Sequence, residues 1–179
     1  MVERPNAKKQ KLHLGCGDKY LPGYINIDGR KGDNVDLVCN MTKLPYDRQS
    51  IDEIYMCHTL EHVPLHQVMD HLIYLNNLLT PSGCIYISVP DFQTLSSMYL
   101  AQRCQLEEIV RAIHGGQEYE GNLHYISFDE SMLRSFLINS NFKNVEKYEP
   151  IKYLPCDFTD TSTYKINGIS ISLNMKATK

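Results

Sequence analysis

Two glycines and an aspartate near the start of the chain are of types that together can bind a nucleoside. Gly15 and Gly17 flank Cys16 directly after a short apolar segment, and Asp28 follows Gly17 by only eleven residues. A ligand can approach a glycine backbone closely because the residue has no β-carbon. An aspartate at the end of the next strand can accept hydrogen bonds from both hydroxyls of a ribose. The pair therefore predicts a site for the ribose of a nucleoside-containing ligand.

The spacing of these residues separates two kinds of nucleoside ligand. A dinucleotide site has a third glycine at the position of Tyr20, and its acid lies about 20 residues further on, after a full helix. Here that position is aromatic, and eleven residues cannot hold both a crossover helix and a strand. Pro22 and Gly23 instead turn the chain into the second strand. A pyrophosphate site, which needs the helix N-terminus, is disfavoured, whereas a site for the sulfonium S-adenosylmethionine is compatible with this spacing.

Further polar residues fall where the carboxyl edge of a parallel sheet is expected. Asn40, His58 and Asp91 each follow a predicted strand, and His114 and His124 lie in an irregular polar and aromatic segment over 114–126. An imidazole with a pKa of about 6.5 could take a proton from a hydroxyl group at neutral pH. His124 is therefore the first candidate proton acceptor, with Asp91 and His114 next. The alternatives are that the histidines order their own loop and that Asp91 caps a helix.

The histidines at 58, 62 and 66 recur every four residues, a spacing that can indicate metal ligands. Pro64 interrupts any helix through them, so no metal is expected, and hydrogen bonds within a loop or a helix cap explain them better. Glu61 and His62 are interpreted as structural, joining the turn after the fourth strand to the next helix. The six cysteines contain no Cys-x-x-Cys pair, so neither a zinc site nor a disulfide framework is expected.

Strand patterns alternate with helical ones along the chain, which predicts an α/β fold with a mostly parallel sheet. Strands are predicted over 11–14, 24–28, 35–39, 51–57, 84–89, 142–148 and 168–175. Helices are predicted between 65 and 80, over 93–113, and after the capping-box pair Ser127 and Glu130. Asn141 is placed to take the left-handed conformation after that last helix.

Length and composition limit the class of protein. The chain has 179 residues, 42% of them hydrophobic and 22% charged, which predicts one globular domain. We divide it into a flexible arm over 1–10 and a single domain over 11–179, in which about 92–128 forms a lid on the acceptor side. The net charge of −3 argues against a nucleic-acid partner. Neither a membrane span nor a signal peptide is recognisable, so a cytoplasmic location is expected.

Several segments together resemble the class I S-adenosylmethionine-dependent methyltransferases, in a small branch (methyltransferase type 11-like) often found with glycan-biosynthesis genes. The matching segments are LHLGCG at 12–17, LPGYINID at 21–28, LPY at 44–46, DEIY at 52–55, LEHV at 60–63, PSG at 81–83, HGGQ at 114–117, His124 and FDE at 128–130. The resemblance covers about residues 11–148. It implies a Rossmann-like, mostly parallel seven-stranded sheet with helices on both faces and a first crossover helix that is shortened or absent.

The resemblance also implies which residues bind the methyl donor: Gly15, Cys16, Gly17, Asp28, Asn40, Met41 and His58. The glycine loop would line the methionine and ribose, Asp28 would hold the ribose hydroxyls, and Asn40 with Met41 would flank the adenine. His58 would lie beside the donor. The family often has aspartate at position 40, and an amide accepts a hydrogen bond without charge assistance. Weaker donor binding is therefore expected.

The activity that these features favour is O-methylation of a sugar, a glycan or another small hydroxylated acceptor, with S-adenosylhomocysteine as the product. Methylation of a nucleic-acid amino group is disfavoured, because residues 58–61 read HTLE where such enzymes have an Asn/Asp-Pro-Pro-aromatic run. The alternative is a non-catalytic S-adenosylmethionine-binding module that regulates or completes a partner. A monomer or a homodimer is expected, with no nucleic acid and no membrane among its partners.

Overall fold

The computed structural model describes residues 10–119 and 121–179, so all of the predicted arm except Gln10 lies outside the described residues. Within these described residues there are nine strands: β1 (Lys11–Leu14), β2 (Ile25–Asp28), β3 (Leu37–Val38), β4 (Ile51–Cys57), β5 (Leu79–Pro90), β6 (Lys143–Lys147), β7 (Lys165–Ile166), β8 (Ile169–Ser170) and β9 (Ser172–Thr178). The α-helices are α1 (Leu65–Leu78), α2 (Phe92–Leu100), α3 (Leu106–His114), α4 (Glu130–Asn139) and α5 (Pro150–Tyr153). Short 3-10 turns span Leu60–His62 and Thr161–Thr163.

Seven of these strands form one sheet in the order β3-β2-β1-β4-β5-β9-β6. Neighbouring strands from β3 to β5 run parallel, and β9 runs antiparallel to both β5 and β6. The predicted mostly parallel, seven-stranded α/β sheet is thus confirmed. Because strands β1, β2 and β4 end at the same edge, the residues that follow them are brought close together.

A compact turn replaces the first crossover helix, as the sequence predicts. The buried Asn26 side chain holds this turn: its amide oxygen accepts from the backbone N–H of Leu21 at 2.8 Å. Its NH2 group donates to the carbonyl of Tyr24 at 3.2 Å and to the carboxylate of Asp36 at 3.0 Å. The side chain of Asn26 therefore stabilises the turn that connects β1 to β2. Within the described residues, no helix begins between these two strands, so no helix N-terminus faces the carboxyl edge after β1.

The two faces of the sheet are covered differently. On one face, α1 and α4 pack against aliphatic side chains such as Ile54 and Ile85, forming the main core. The other face carries aromatic side chains, including the buried Tyr55 and the Tyr86 ring, which stacks on Tyr153 with 3.8 Å between centroids. The four-residue α5 ends at Tyr153. This second face is therefore closed largely by aromatic packing, with α5 as its helix.

The structure corrects the single helix predicted over 93–113, which is two helices, α2 and α3. Gln102 has a φ of +55°, and the N–H groups of Gln102 and Arg103 donate to the carbonyls of Tyr99 and Met98. This Schellman arrangement ends α2. The turn also buries Cys104 in a separate small core between α2, α3 and the β7–β8 hairpin. An apolar periodicity that continues across the turn conceals it in the sequence.

Two helix boundaries depend on particular side chains. Asp129 caps α4 by accepting from the backbone N–H of Met132 at 2.7 Å, so the predicted Ser127 cap is wrong. Glu130 forms ion pairs with Arg134 and Lys147 instead of completing a capping box. Asn141 has a φ of +67°, which confirms the predicted left-handed conformation after α4. Across the described residues, no helix combines the length and apolar character needed to cross a bilayer.

Candidate functional site

A cleft of about 1080 Å³ opens at the carboxyl edge of the parallel strands. Every residue that the family resemblance assigned to the donor lines this cleft, together with His124; these are Gly15, Cys16, Gly17, Asp28, Asn40, Met41 and His58. The opposite wall comes from α3 and the loop after it, through side chains that include Glu108, Arg111 and Asn122. Residues from the segment 92–128 thus form one wall of the cleft.

The glycine loop and Asp28 are joined directly. The backbone N–H of Gly17 donates to Asp28 Oδ2 at 2.9 Å, and the N–H of Arg30 donates to Asp28 Oδ1 at 2.8 Å. The side chain of Asp28 is 12% exposed, so it is held in place at the cleft surface. An ionised carboxylate has about four acceptor positions. The two that remain can accept from a diol placed over the glycine loop.

The two glycines are required for different reasons. Gly15 has a φ of +69°, and a β-carbon there would lie 2.4 Å from Oγ1 of Thr59. Thr59 Oγ1 is within 3.2 Å of the Leu14 carbonyl, so this contact ties the turn after β4 to the end of β1. Gly17 has a φ of +55°, but a β-carbon there would meet no atom within 4 Å. Gly15 therefore serves packing within the protein, whereas Gly17 borders open space.

Asn40 is oriented by its own loop. Its amide oxygen accepts from both the backbone N–H and the hydroxyl of Thr42, each at 2.9 Å. The oxygen is therefore used locally, which leaves the NH2 group of Asn40 for a ligand. Asn40 thus presents a donor where an aspartate would present a second oxygen. Met41 is partly buried against the main core beside it.

Four side chains with ionisable groups meet at the wall of the cleft: His58, Glu61, His62 and His124. The Glu61 carboxyl is buried, and neither oxygen has a hydrogen-bond partner among the described residues. Glu61 Oε1 lies 3.5 Å from His58 Nδ1 and 3.9 Å from His124 Nε2. Burial raises the pKa of Glu61 to about 8 and lowers the pKa of His58 and of His124 to about 4. All three are poorly solvated, so the histidines are neutral at pH 7.

Each imidazole in this cluster is oriented through its other ring nitrogen. His62 Nδ1 lies 3.0 Å from the carbonyl of Leu123, and His124 Nδ1 lies 3.0 Å from the carbonyl of Ala112. His58 Nε2 lies 2.8 Å from the hydroxyl of Ser172. The rings of His62 and His124 pack edge to face with 4.8 Å between centroids. The spacing of histidines at 58, 62 and 66 indicates only two of the three imidazoles in the cluster. The third, His124, comes from the loop after α3.

The other two predicted proton acceptors lie elsewhere. Asp91 caps α2, since its Oδ1 accepts from the backbone N–H of Gln93 at 3.1 Å and its Oδ2 accepts from the hydroxyl of Thr94 at 2.7 Å. Neither Asp91 nor His114 is among the residues that line the cleft. His114 is exposed, and its backbone carbonyl accepts from the N–H of His124. Of the three predictions, the structure brings only His124 to the cleft.

Sequence reasoning missed Glu61 as a member of this site. The signal that could have found it is a carboxylate placed directly between a buried strand and a buried helix, where an acid without a partner is costly. Asp160 and Tyr164 line the cleft as well as His62 and His124, and they come from the segment between the strands predicted over 142–148 and 168–175. No pattern in that loop indicates which of its side chains face the cleft.

Comparison with known proteins identifies the fold. No family model matches the sequence, and no curated protein matches it either. Among solved structures, the chain is similar to an S-adenosylmethionine-dependent methyltransferase from Archaeoglobus fulgidus, with a TM-score of 0.59 and 14% identity over 96% of this chain and 86% of that one. A methyltransferase from Methanosarcina mazei gives a TM-score of 0.53 and 16% identity, covering 97% and 94%.

A third similar structure is 1,6-didemethyltoxoflavin-N1-methyltransferase from Burkholderia thailandensis, which contains bound 1,6-didemethyltoxoflavin and S-adenosylhomocysteine. Its TM-score is 0.57 at 14% identity, with 96% of this chain and 72% of that chain covered. Identities this low establish the architecture and leave substrate and branch open. The chain therefore has the Rossmann-like fold of the class I S-adenosylmethionine-dependent methyltransferases.

Proposed function

We propose that this chain is an S-adenosylmethionine-dependent methyltransferase that methylates a hydroxyl group of a sugar, a glycan or another small hydroxylated molecule. The observation that carries the proposal is the Gly17–Asp28 hydrogen bond of 2.9 Å at an open cleft, without a helix after the glycine loop. Such a pair suits a ribose but not a pyrophosphate, which would need a helix N-terminus. The fold shared with methyltransferases supports the same assignment.

The cleft wall formed by the glycine loop, Asp28, Asn40 and Met41, which we call the donor wall, fits S-adenosylmethionine. Asp28 has acceptor positions left for the two ribose hydroxyls, and the open space beside Gly17 admits the ligand close to the backbone. The NH2 group of Asn40 and the side chain of Met41 would contact the adenine. When bound, the donor supplies a methyl group already activated by the sulfonium charge. The contribution of the protein is then position and exclusion of water.

The opposite wall suits a polar acceptor. Arg111 and Glu118 form an ion pair there, and Asn122 donates to Glu118 at 2.5 Å. Tyr119 lies against Arg30, whose guanidinium carbon is 4.0 Å from the ring centroid. Side chains that pair in this way can exchange partners with sugar hydroxyls, and an aromatic ring can pack on a sugar face. A hydroxyl acceptor must also lose a proton, and of the three predicted proton acceptors His124 is the one that lines the cleft.

Calorimetry with S-adenosylmethionine and, side by side, with NAD tests the donor assignment. We expect the wild-type chain to bind the sulfonium and not the dinucleotide. Asp28→Asn should weaken binding about 10- to 100-fold, because an amide NH2 would face the Gly17 N–H and one charged acceptor would be lost. Asp33→Asn, at an exposed acid outside the cleft lining, is the matched control and should bind normally. Preference for NAD would contradict the proposal.

Transfer is tested with methyl-labelled S-adenosylmethionine and a panel of methyl glycosides and nucleotide sugars, with a catechol and a primary amine included. Label should appear on a hydroxyl oxygen, and the other product should be S-adenosylhomocysteine. Transfer to the amine alone would overturn the O-methylation assignment. Donor binding without transfer to any member of the panel would favour the non-catalytic module instead.

A further inference from the structure

We propose that Glu61, His62 and His124 form a binding site for a divalent transition-metal ion at the wall of the cleft. One carboxylate oxygen and one nitrogen from each ring lie within 4.8 Å of one another. Ligands about 2.1 Å from a tetrahedral ion are about 3.4 Å apart. The observed 3.9 Å between Glu61 Oε1 and His124 Nε2 is close to that spacing, and the wider separations, up to 4.8 Å, would have to shorten by side-chain rotation when an ion binds.

The hydrogen bonds around the rings leave the second nitrogen of each ring without a proton and therefore able to bind a cation. A backbone carbonyl can only accept, so the Nδ1 atoms of His62 and His124 that face the carbonyls of Leu123 and Ala112 carry the protons. The Nε2 atom of each neutral ring then has an unshared electron pair. Metal-binding histidines are typically oriented in this way, by a carbonyl on the nitrogen that is not a ligand.

A third imidazole presents a lone pair to the same carboxylate. The hydroxyl of Ser172 donates to the carbonyl of Thr161 at 2.7 Å, so it accepts from His58, and the proton of His58 is on Nε2. His58 Nδ1 therefore directs its unshared pair toward Glu61 Oε1, 3.5 Å away. These unshared pairs converge on the buried carboxyl group of Glu61, which has no hydrogen-bond partner among the described residues. A divalent ion that displaces the carboxyl proton would supply the positive charge that this set of groups lacks.

The ligand types indicate the class of ion. Two imidazoles and one carboxylate suit Zn²⁺, Mn²⁺, Fe²⁺ or Co²⁺, whereas Mg²⁺ and Ca²⁺ prefer oxygen ligands throughout. Three protein ligands leave coordination positions open, as in catalytic sites. His62 and His124 both line the cleft, so those open positions are within reach of a ligand bound there. This proposal differs from the sequence-based expectation of no metal, because that expectation considered His58, His62 and His66 and did not include His124.

A role for the ion rests on the proposed function. An acceptor hydroxyl bound to the ion would have a lowered pKa and would release its proton to water in the cleft. The oxygen would then form the bond to the methyl carbon as the bond from that carbon to sulfur breaks, leaving S-adenosylhomocysteine. His124 acts in this scheme as a metal ligand and not as a free base.

Titration of the chelator-treated protein with CoCl2, followed by the visible absorption of bound Co²⁺, tests the site without donor or acceptor. We expect one Co²⁺ per chain, displaced by ZnCl2. Glu61→Gln and His124→Gln should each weaken binding by at least about 100-fold. His66→Gln is the matched control, since its ring contacts the side chain of Gln67 outside the cluster, and it should bind Co²⁺ normally. His124→Gln keeps the test decisive if Glu61→Gln does not fold.

The outcomes separate the metal site from the methyltransferase proposal. Absence of Co²⁺ binding, or binding that both cluster variants retain, would overturn the metal site whatever the activity. Co²⁺ binding that is lost in both variants supports it even if no methyl transfer is found, and only the role of the ion would then fail. Full transfer activity after chelation would likewise refute the role of the ion while leaving the methyltransferase proposal intact.

Discussion

Replacing Gly15 with alanine separates the two reasons for a glycine in the loop after β1. At a φ of +69°, a β-carbon costs about 1–2 kcal/mol of stability. The same β-carbon would lie 2.4 Å from Oγ1 and 2.5 Å from Cγ2 of Thr59, and overpacking of this kind costs about 1–3 kcal/mol more. We therefore expect Gly15→Ala to lower the free energy of unfolding by about 2–5 kcal/mol.

Gly17→Ala is the matched control for that substitution. Its φ of +55° carries the same backbone cost, but no atom lies within 4 Å of the added carbon. The expected loss is about 1–2 kcal/mol, from backbone strain alone. Because the added methyl group would occupy open space bordering the cleft, Gly17→Ala should weaken S-adenosylmethionine binding more than it weakens folding.

A double-mutant cycle with Thr59→Ala isolates the steric part. Thr59→Ala removes the two closest atoms and leaves the Cβ of residue 59 at 3.0 Å from the added carbon. Gly15→Ala should therefore cost about 1 kcal/mol less stability, or a larger amount less, in the Thr59→Ala protein than in the wild type. Urea unfolding of the four proteins, followed by circular dichroism, provides the free energies. Additivity within about 0.5 kcal/mol would refute the contact between Gly15 and Thr59 as the reason for the glycine.

Three further predictions concern single side chains. Burial lowers the pKa of His71 to about 4, so the unfolded chain takes up a proton below about pH 6.5 while the folded chain does not. Lowering the pH from 7 to 5 should therefore cost wild-type about 2 kcal/mol more than His71→Leu in urea unfolding, and equal losses would contradict this. Burial and the nearby Asp28 raise the pKa of Cys16 to about 11, so iodoacetamide at pH 8 should label the exposed Cys156 before Cys16. Bound donor should slow the labelling of Cys16 further. Equal labelling rates of the two thiols, measured by peptide mass mapping, would contradict this prediction. Asn40→Asp should tighten donor binding up to about tenfold in calorimetry, because its second oxygen can accept from the adenine amino group with charge assistance; unchanged affinity would argue against adenine at that position.

The parts of the fold and site that local rules determine could be predicted from the sequence. The short interval between Gly17 and Asp28 excludes a helix whatever the surroundings, and Asn141 tolerates the left-handed backbone that ends α4. Positions at the ends of parallel strands converge by geometry, which is why the residues predicted to bind the donor all line one cleft.

What could not be predicted depends on contacts between distant segments. His124 reaches Glu61 only because α3 and its loop fold over the cleft, and its ring is turned by the carbonyl of Ala112. No sequence pattern near Glu61 indicates that His124 is its neighbour. The position of Asp91 in the sequence is compatible with a proton acceptor or with a helix cap. In the structure the Thr94 hydroxyl donates to Asp91, which shows that Asp91 is a cap. Gln102 ends α2 although its residue type gives no sign of a left-handed turn.

The small core formed by α2, α3 and the β7–β8 hairpin is separate from the main core beneath the sheet. The cleft wall that we propose for the acceptor is thus carried by a module with its own hydrophobic core, while the wall proposed for the donor is carried by the sheet. Residues of that module can therefore be exchanged with little disturbance to the loop in which Gly17 donates to Asp28. Chimaeras would have their junctions at Pro90 and near Asp129, where the α2–α3 part of the module leaves and rejoins the central scaffold, and the β7–β8 hairpin would have to be exchanged with it.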